Sequence, residues 1–115
     1  MHNQTDTRAL TPEHIGRRLA PVFKRHAVSR AVLFGSVARG DASRHSDIDL
    51  LLVQKTEARF LDRYEGLLEE LGEALPEAAI EPLVYTAEEM ARMSANPTPF
   101  MARALREGIC LYESE

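Results

Sequence analysis

The feature that most constrains this chain is the stretch from Arg30 to Gln54, RAVLFGSVARGDASRHSDIDLLLVQ. A short apolar run, Ala31 to Phe34, breaks at Gly35-Ser36, and a polar loop containing Arg39 and Gly40 follows. Asp47-Ile48-Asp49 then runs directly into Leu50-Leu51-Leu52-Val53. Two β-like runs around a glycine-marked turn predict strand, loop, strand. Alternate residues of a strand share a face, so Asp47 and Asp49 set two carboxylates side by side. Such a pair repels and resists ionising together unless a cation lies between its members. All-oxygen ligands suit Mg²⁺ or Mn²⁺. The connection is short enough to predict an antiparallel return, with Gly35-Ser36 and the aspartates at one end of the sheet. A turn rich in backbone N–H donors beside a metal cage is a place to hold a polyphosphate.

These residues also carry a resemblance. Gly35-Ser36, ten intervening residues, then Asp47-x-Asp49 resembles the signature of the DNA polymerase β-like nucleotidyltransferase superfamily. More closely, FGSVARGDASRHSDIDLLLV is similar to the minimal nucleotidyltransferase branch, in which Gly-Ser, Arg-Gly and Ser-Asp-x-Asp-Leu recur. Several features agree in order and spacing, and the similarity continues toward the C-terminus. The fold it implies is α/β: a polymerase β-like nucleotidyltransferase fold, a small mixed β-sheet packed with helices in a single domain.

The length of 115 residues predicts one domain with a single modest core. Apolar residues at 44% and charged ones at 28% describe an ordinary globular composition. A formal net charge of −4 argues against bulk electrostatic binding to nucleic acid. The lone cysteine, Cys110, cannot form an intramolecular disulfide, and its apolar neighbours Ile109 and Leu111 predict that it is buried. No signal peptide, transit sequence or long apolar run is visible, which predicts a cytoplasmic protein without membrane contact. Residues 1–10 are polar and unpatterned and read as a flexible leader to a domain spanning 11–115.

Thr11-Pro12-Glu13 predicts the cap of a first helix reaching about His26, with Ile15, Leu19, Val22 and Phe23 on its buried face. Pro21 is expected to kink or split it. Arg17, Arg18, Lys24 and Arg25 read as a solvated face rather than a phosphate patch. Phe60, Leu61, Tyr64, Leu67, Leu68, Leu71 and Leu75 trace a helical stripe, predicting one amphipathic helix from about Ala58 to Ala74. Ala78 to Tyr85 predicts a third strand, with Pro82 marking an edge position or a bulge. A strand, helix, strand connection makes parallel neighbours, which brings Glu81 beside Asp47 and Asp49, with Glu77 as the fallback. The resemblance points the same way, since the family carries an acidic residue in its third strand. Thr86 and Glu89 form a capping-box pattern for a helix through about Met93. Asn96-Pro97 is expected to start another, with Phe100, Met101, Ala104 and Leu105 buried and Gly108 as its stop. Ile109 to Tyr112 closes the chain as a short strand, and Met90, Met93 and Met101 read as core gap-fillers.

The chemistry the resemblance implies is in-line attack of a hydroxyl on the α-phosphorus of ATP or another nucleoside triphosphate. It implies two Mg²⁺ ions, Mn²⁺ being the alternative, on Asp47, Asp49 and Glu81 as catalytic and metal-binding residues. It implies Gly35 and Ser36 at the triphosphate, with Arg39 adding charge there or pairing with Asp41, and Ser46 donating to a phosphate or fixing the start of the strand. His45 reads as an exposed loop histidine. Minimal nucleotidyltransferases of this kind resemble the antitoxin half of two-gene modules, whose partner is a HEPN-domain toxin modified with AMP on a tyrosine. Three readings compete: an enzyme that adenylylates a partner protein, an enzyme acting on a small molecule such as an aminoglycoside with a second subunit, and a non-catalytic antitoxin acting by contact.

Overall fold

Capping and apolar periodicity account for most of the elements. The computed structural model describes residues 11–39 and 47–114; the expected leader over 1–10 and Ser46, with Asp41 and His45, lie outside them. Helix α1 (Pro12–Arg25) begins where the extended Thr11 accepts a hydrogen bond from the His14 N–H at 3.2 Å, with proline at its first position. Pro21 does not split it. The proline faces outward, and Ile15 and Leu19 before it share one buried stripe with Val22 and Phe23 after it. Packing along that stripe holds the two halves of the helix in register.

Strand β1 (Val28–Phe34) is followed at once by a five-residue helix α2 (Gly35–Arg39), where the sequence predicted a loop. Strand β2 (Ile48–Gln54) returns antiparallel to β1, pairing Leu33 with Leu50 and Phe34 with Asp49. Strand β3 (Ile80–Tyr85) runs parallel to β2, pairing Asp49 with Glu81. Strand β4 (Ile109–Glu113) lies antiparallel on the far side of β1, giving the order β3-β2-β1-β4. Pro82 is thus on an edge strand, where a missing N–H costs no ladder bond.

Helices cover both faces of this mixed sheet. On one face α1 and helix α3 (Leu67–Ala74) bury Leu33, Ile48, Leu50, Leu52 and Val84. On the other, helices α4 (Ala87–Ala95) and α5 (Pro99–Glu107) close over Val32, Phe34 and Leu51. Met101 is buried in this second cluster, and Met90 and Met93 pack against it, as gap-fillers would.

The single helix expected over 58–74 is instead a 3₁₀ turn (Phe60–Tyr64) and α3, joined at Gly66 with φ of 77°. That left-handed joint, natural to glycine, resets the phase of the stripe. Leu67, Leu71 and Leu75 are buried, whereas Leu61 is 79% exposed and Phe60 and Leu68 also face solvent. Arg63 takes the interior place instead. Its guanidinium donates to Glu89 Oε1 at 2.8 Å and Oε2 at 3.0 Å, and to the carbonyls of Val84 and Ala58.

α4 starts at the predicted capping box, both reciprocal bonds of Thr86 and Glu89 being present. α5 starts two residues later than expected. Thr98, not Asn96, caps it by accepting from the Met101 N–H at 3.1 Å, and Pro99, not Pro97, takes the first turn. Asn96 is spent as the C-cap of α4. Met101 and Ala104 face the sheet, but Phe100 and Leu105 are exposed. The predicted burial of Cys110 also fails. Cys110 pairs with Val32, so it lies on the face that α5 covers, yet α5 ends at Glu107 and leaves this edge strand open. Among the described residues, no helix is long and apolar enough to cross a membrane.

Candidate active site

β1 delivers the chain to Gly35, β2 carries Asp49 with Asp47 just before its first residue, and β3 carries Glu81. The pairings Phe34 with Asp49 and Asp49 with Glu81 form one row across three strands. Two rows inward, the next row on the same face is Val32, Leu51 and Leu83, all part of the cluster under α4 and α5. Partners in a row share a face, so Asp49 and Glu81 point to the side of the sheet that α4 and α5 only partly cover. Asp47, two residues before Asp49, shares that face.

Gly35 and Asp49 are in close contact. Gly35 has φ of +80°, and a Cβ built on it would collide with Asp49 Oδ2. Glycine is required here twice over, once by the backbone and once by the carboxylate in the space a side chain would need.

The three acids also sense one another. Burial, and then the charge of Asp47, push the Asp49 carboxyl above its ordinary range. Glu81 is raised as well, first by a side-chain hydrogen bond shared with Asp47 and then by the charges of Asp47 and Asp49. One proton held between two carboxylates does what a cation does between three: it relieves repulsion. Among the described residues no three acidic, imidazole or thiol groups stand closed around a single point. The donor set fits a hard divalent cation in its chemistry, being oxygen throughout, with Asp47 and Glu81 already drawn together where positive charge is wanted.

Of the residues singled out in the sequence, the structure brings together Gly35, Asp47, Asp49 and Glu81. Ser36 and Arg39 lie on α2, directly after the Gly35 turn. Glu77, the fallback acid, is not with the others: it pairs with Arg18 at 3.4 Å and approaches His14 at 4.0 Å. Arg25 is likewise engaged, by Glu70 at 2.9 Å, so two of the four basic residues of α1 serve as ties to neighbouring elements. One neighbour of the site escaped the sequence reading. Phe100, expected in the core, is exposed with its ring edge-on to Phe34 at 5.6 Å and 82°. The cap pair Thr98-Pro99, of the same kind as Thr11-Pro12, is the local signal for where α5 starts, and the sequence reading placed that start at Asn96-Pro97 instead.

A family model described as polymerase beta, nucleotidyltransferase matches residues 17–115. A proposed protein adenylyltransferase of Methanocaldococcus jannaschii is 45% identical over 38 residues, covering 33% of this chain and 41% of that protein. The chain thus matches about two-fifths of the length of that curated relative. Among solved structures, a proposed minimal nucleotidyltransferase is 30% identical, with a TM-score of 0.56 over 81% of this chain and 87% of its own. A toxin–antitoxin complex with AMP-PNP contains a chain at TM-score 0.63 and 19% identity, covering 87% of this chain and 74% of that one. The complex of tri-AMPylated Shewanella oneidensis HEPN toxin with its MNT antitoxin contains one at TM-score 0.58 and 13% identity, covering 90% and 74%. At those identities the two complexes speak for the fold alone.

Proposed function

The chain belongs to the polymerase beta nucleotidyltransferase family, of the minimal type, and from that premise we propose that it moves AMP from ATP to a hydroxyl of a partner protein. The partner we propose is a HEPN-domain toxin, which the chain inactivates as its antitoxin in the cytoplasm, where the ATP is. The observation that carries the donor half is the contact of Gly35 with Asp49: a backbone turn suited to phosphates abuts the acid cluster. Support for the acceptor half comes from the relative named as a protein adenylyltransferase.

In this reading the acceptor oxygen bonds to the α-phosphorus while the bond from that phosphorus to the α,β-bridging oxygen breaks. Pyrophosphate leaves, and the hydroxyl proton passes to solvent. Asp47, Asp49 and Glu81 would hold divalent cations, Mg²⁺ by choice, which would supply neutralisation of phosphate charge and a more acidic acceptor hydroxyl. The Gly35-Ser36 backbone receives the β- and γ-phosphates, since no side chain at Gly35 bars their approach. Arg39 and Ser46 add a charge and a donor to the same phosphates. Glu81, at the β3 end of the row, lies on the acceptor side, and Gly35, at the β1 end, on the side of the leaving group.

The test is intact-mass spectrometry of the product of the adjacent gene, incubated with this chain, ATP and Mg²⁺. One or more AMP units on the neighbour, absent with Asp47→Asn/Asp49→Asn, is the expected result. A neighbour that is neutralised but unmodified overturns the reading in favour of contact alone. Modification of an aminoglycoside in its place overturns it in favour of a small-molecule enzyme.

A further inference from the structure

Phe100 lies in the first turn of α5, and 55% of its surface is exposed. It is not a core residue out of place, because Met101 and Ala104 already fill the sheet-facing positions of that helix. Its ring meets the ring of Phe34 edge-on, and Phe34 is both the cross-strand partner of Asp49 and the residue before Gly35. α5 also packs against α2 and β1. The row Phe34, Asp49, Glu81 therefore has an open aromatic ring over its β1 end and a carboxylate at its β3 end.

In-line transfer separates the two substrates in space. The attacking hydroxyl and the departing pyrophosphate stand on opposite sides of the α-phosphorus. The nucleoside stays on the α-phosphorus through its 5′-oxygen, lateral to that axis, so its base is met by a group beside the row, and the exposed ring against Phe34 stands there. The donor presents one apolar, flat group, its nucleobase. A phenylalanine offers a π-face and no hydrogen bond, so it favours stacking of any base over the reading of one.

We propose that Phe100 is the stacking platform for the nucleobase of the donor triphosphate, a specificity device that selects nucleotides over bare polyphosphates without choosing among bases. The proposal rests on the donor reading given above. It makes Phe34 the brace that fixes the orientation of the platform by its edge-on contact.

Calorimetric titration in Mg²⁺ tests this, with non-hydrolysable analogues of ATP and GTP and with inorganic tripolyphosphate as probes. Phe100→Ala should weaken both nucleotide analogues by about tenfold, the loss expected of a stacked base, and leave tripolyphosphate within about twofold. Phe100→Tyr should restore the nucleotide affinities. Phe100→Leu keeps apolar cover on Phe34 but has no ring, so it should show the same selective loss even where alanine disturbs the fold. Equal losses for tripolyphosphate and nucleotide would assign Phe100 to scaffolding and overturn the proposal. Unchanged nucleotide affinity in Phe100→Ala, with wild type binding all probes, removes the proposal and leaves the donor reading intact. A wild type that binds none of them removes both.

Discussion

Asp49 Oδ2 occupies the space that a side chain on Gly35 would need. The turn that ends β1 and the carboxylate that β2 presents are therefore one unit, and neither can change alone. Gly35→Ala should cost about 1–2 kcal/mol in stability from its left-handed φ alone. Displacement of Asp49 should lower nucleotidyl transfer by about a hundredfold, the penalty of an ångström-scale misplacement. Urea unfolding and turnover with ATP measure the two effects. Turnover near wild type would show that the acid has room to move.

The acid cluster should make the metal-free protein sensitive to pH in an unusual direction. Asp49 and Glu81 have carboxyl pKa values raised in the folded state. A raised folded pKa means the ionised form is disfavoured, so the cluster destabilises the fold above the ordinary carboxylate range. That penalty is relieved as pH falls through the raised values. Mg²⁺ should remove it at neutral pH and raise the melting temperature. Asp47→Asn/Asp49→Asn should fold at least as well as wild type, lose the Mg²⁺ response and bind no Mg²⁺-nucleotide. A double variant whose melting temperature still climbs with Mg²⁺ would move the metal elsewhere.

Glu81 is separable from the two aspartates by kinetics. In its proposed role on the acceptor side its effect belongs to the transition state, so Glu81→Gln should cut kcat by about tenfold or more, with little change in nucleotide affinity. The residue is exposed, so its loss should not unfold the protein. A kcat within about twofold of wild type returns it to the surface as an ordinary glutamate.

The Arg63–Glu89 pair gives a second, opposite pH dependence. Hydrogen bonds from Arg63, above all, and then from the Thr86 backbone hold the Glu89 carboxyl down to about 2. A depressed folded pKa contributes stability that is fully present above the ordinary glutamate range. It is lost as pH falls from about 4.5 toward about 2. Glu89→Gln should cost about 2 kcal/mol at neutral pH, because a buried guanidinium loses its charged partner. It should also flatten the acid limb of the stability curve, which denaturation between those pH values reads.

Cys110 should react with a maleimide in the native protein as readily as in urea. Cys110→Ser should change stability by no more than about 0.5 kcal/mol, as at other surface positions. A thiol protected until the protein unfolds would place it in the interior, as its apolar neighbours in sequence suggest.

The features legible from the chain alone are those that neighbouring residues decide among themselves. Alternation along one strand sets Asp47 and Asp49 on one side whatever surrounds them, because the pleat has a period of two. Thr11 and Thr86 cap their helices through bonds to residues three further on, and Gly35 ends its strand because few other residues accept its φ. Even the meeting of Asp49 with Glu81 followed from the rule that a strand, helix, strand crossover makes its two strands parallel neighbours. The tertiary structure decided burial. Leu61, on an apolar stripe, and Cys110, between apolar neighbours, still face solvent, because a break at Gly66 turns one away and α5 stops short of the other. Arg63 lies inside a leucine stripe and is nevertheless buried, since Glu89, from an element 26 residues distant, supplies the charge that makes its burial tolerable. Phe100 lost its place in the core to the residue beside it, because the helix began two positions later than its first proline suggested. The outcomes at Cys110 and Arg63 depend on what a distant segment covers or leaves open, and a one-dimensional pattern contains the periodicity of a face but not its neighbour.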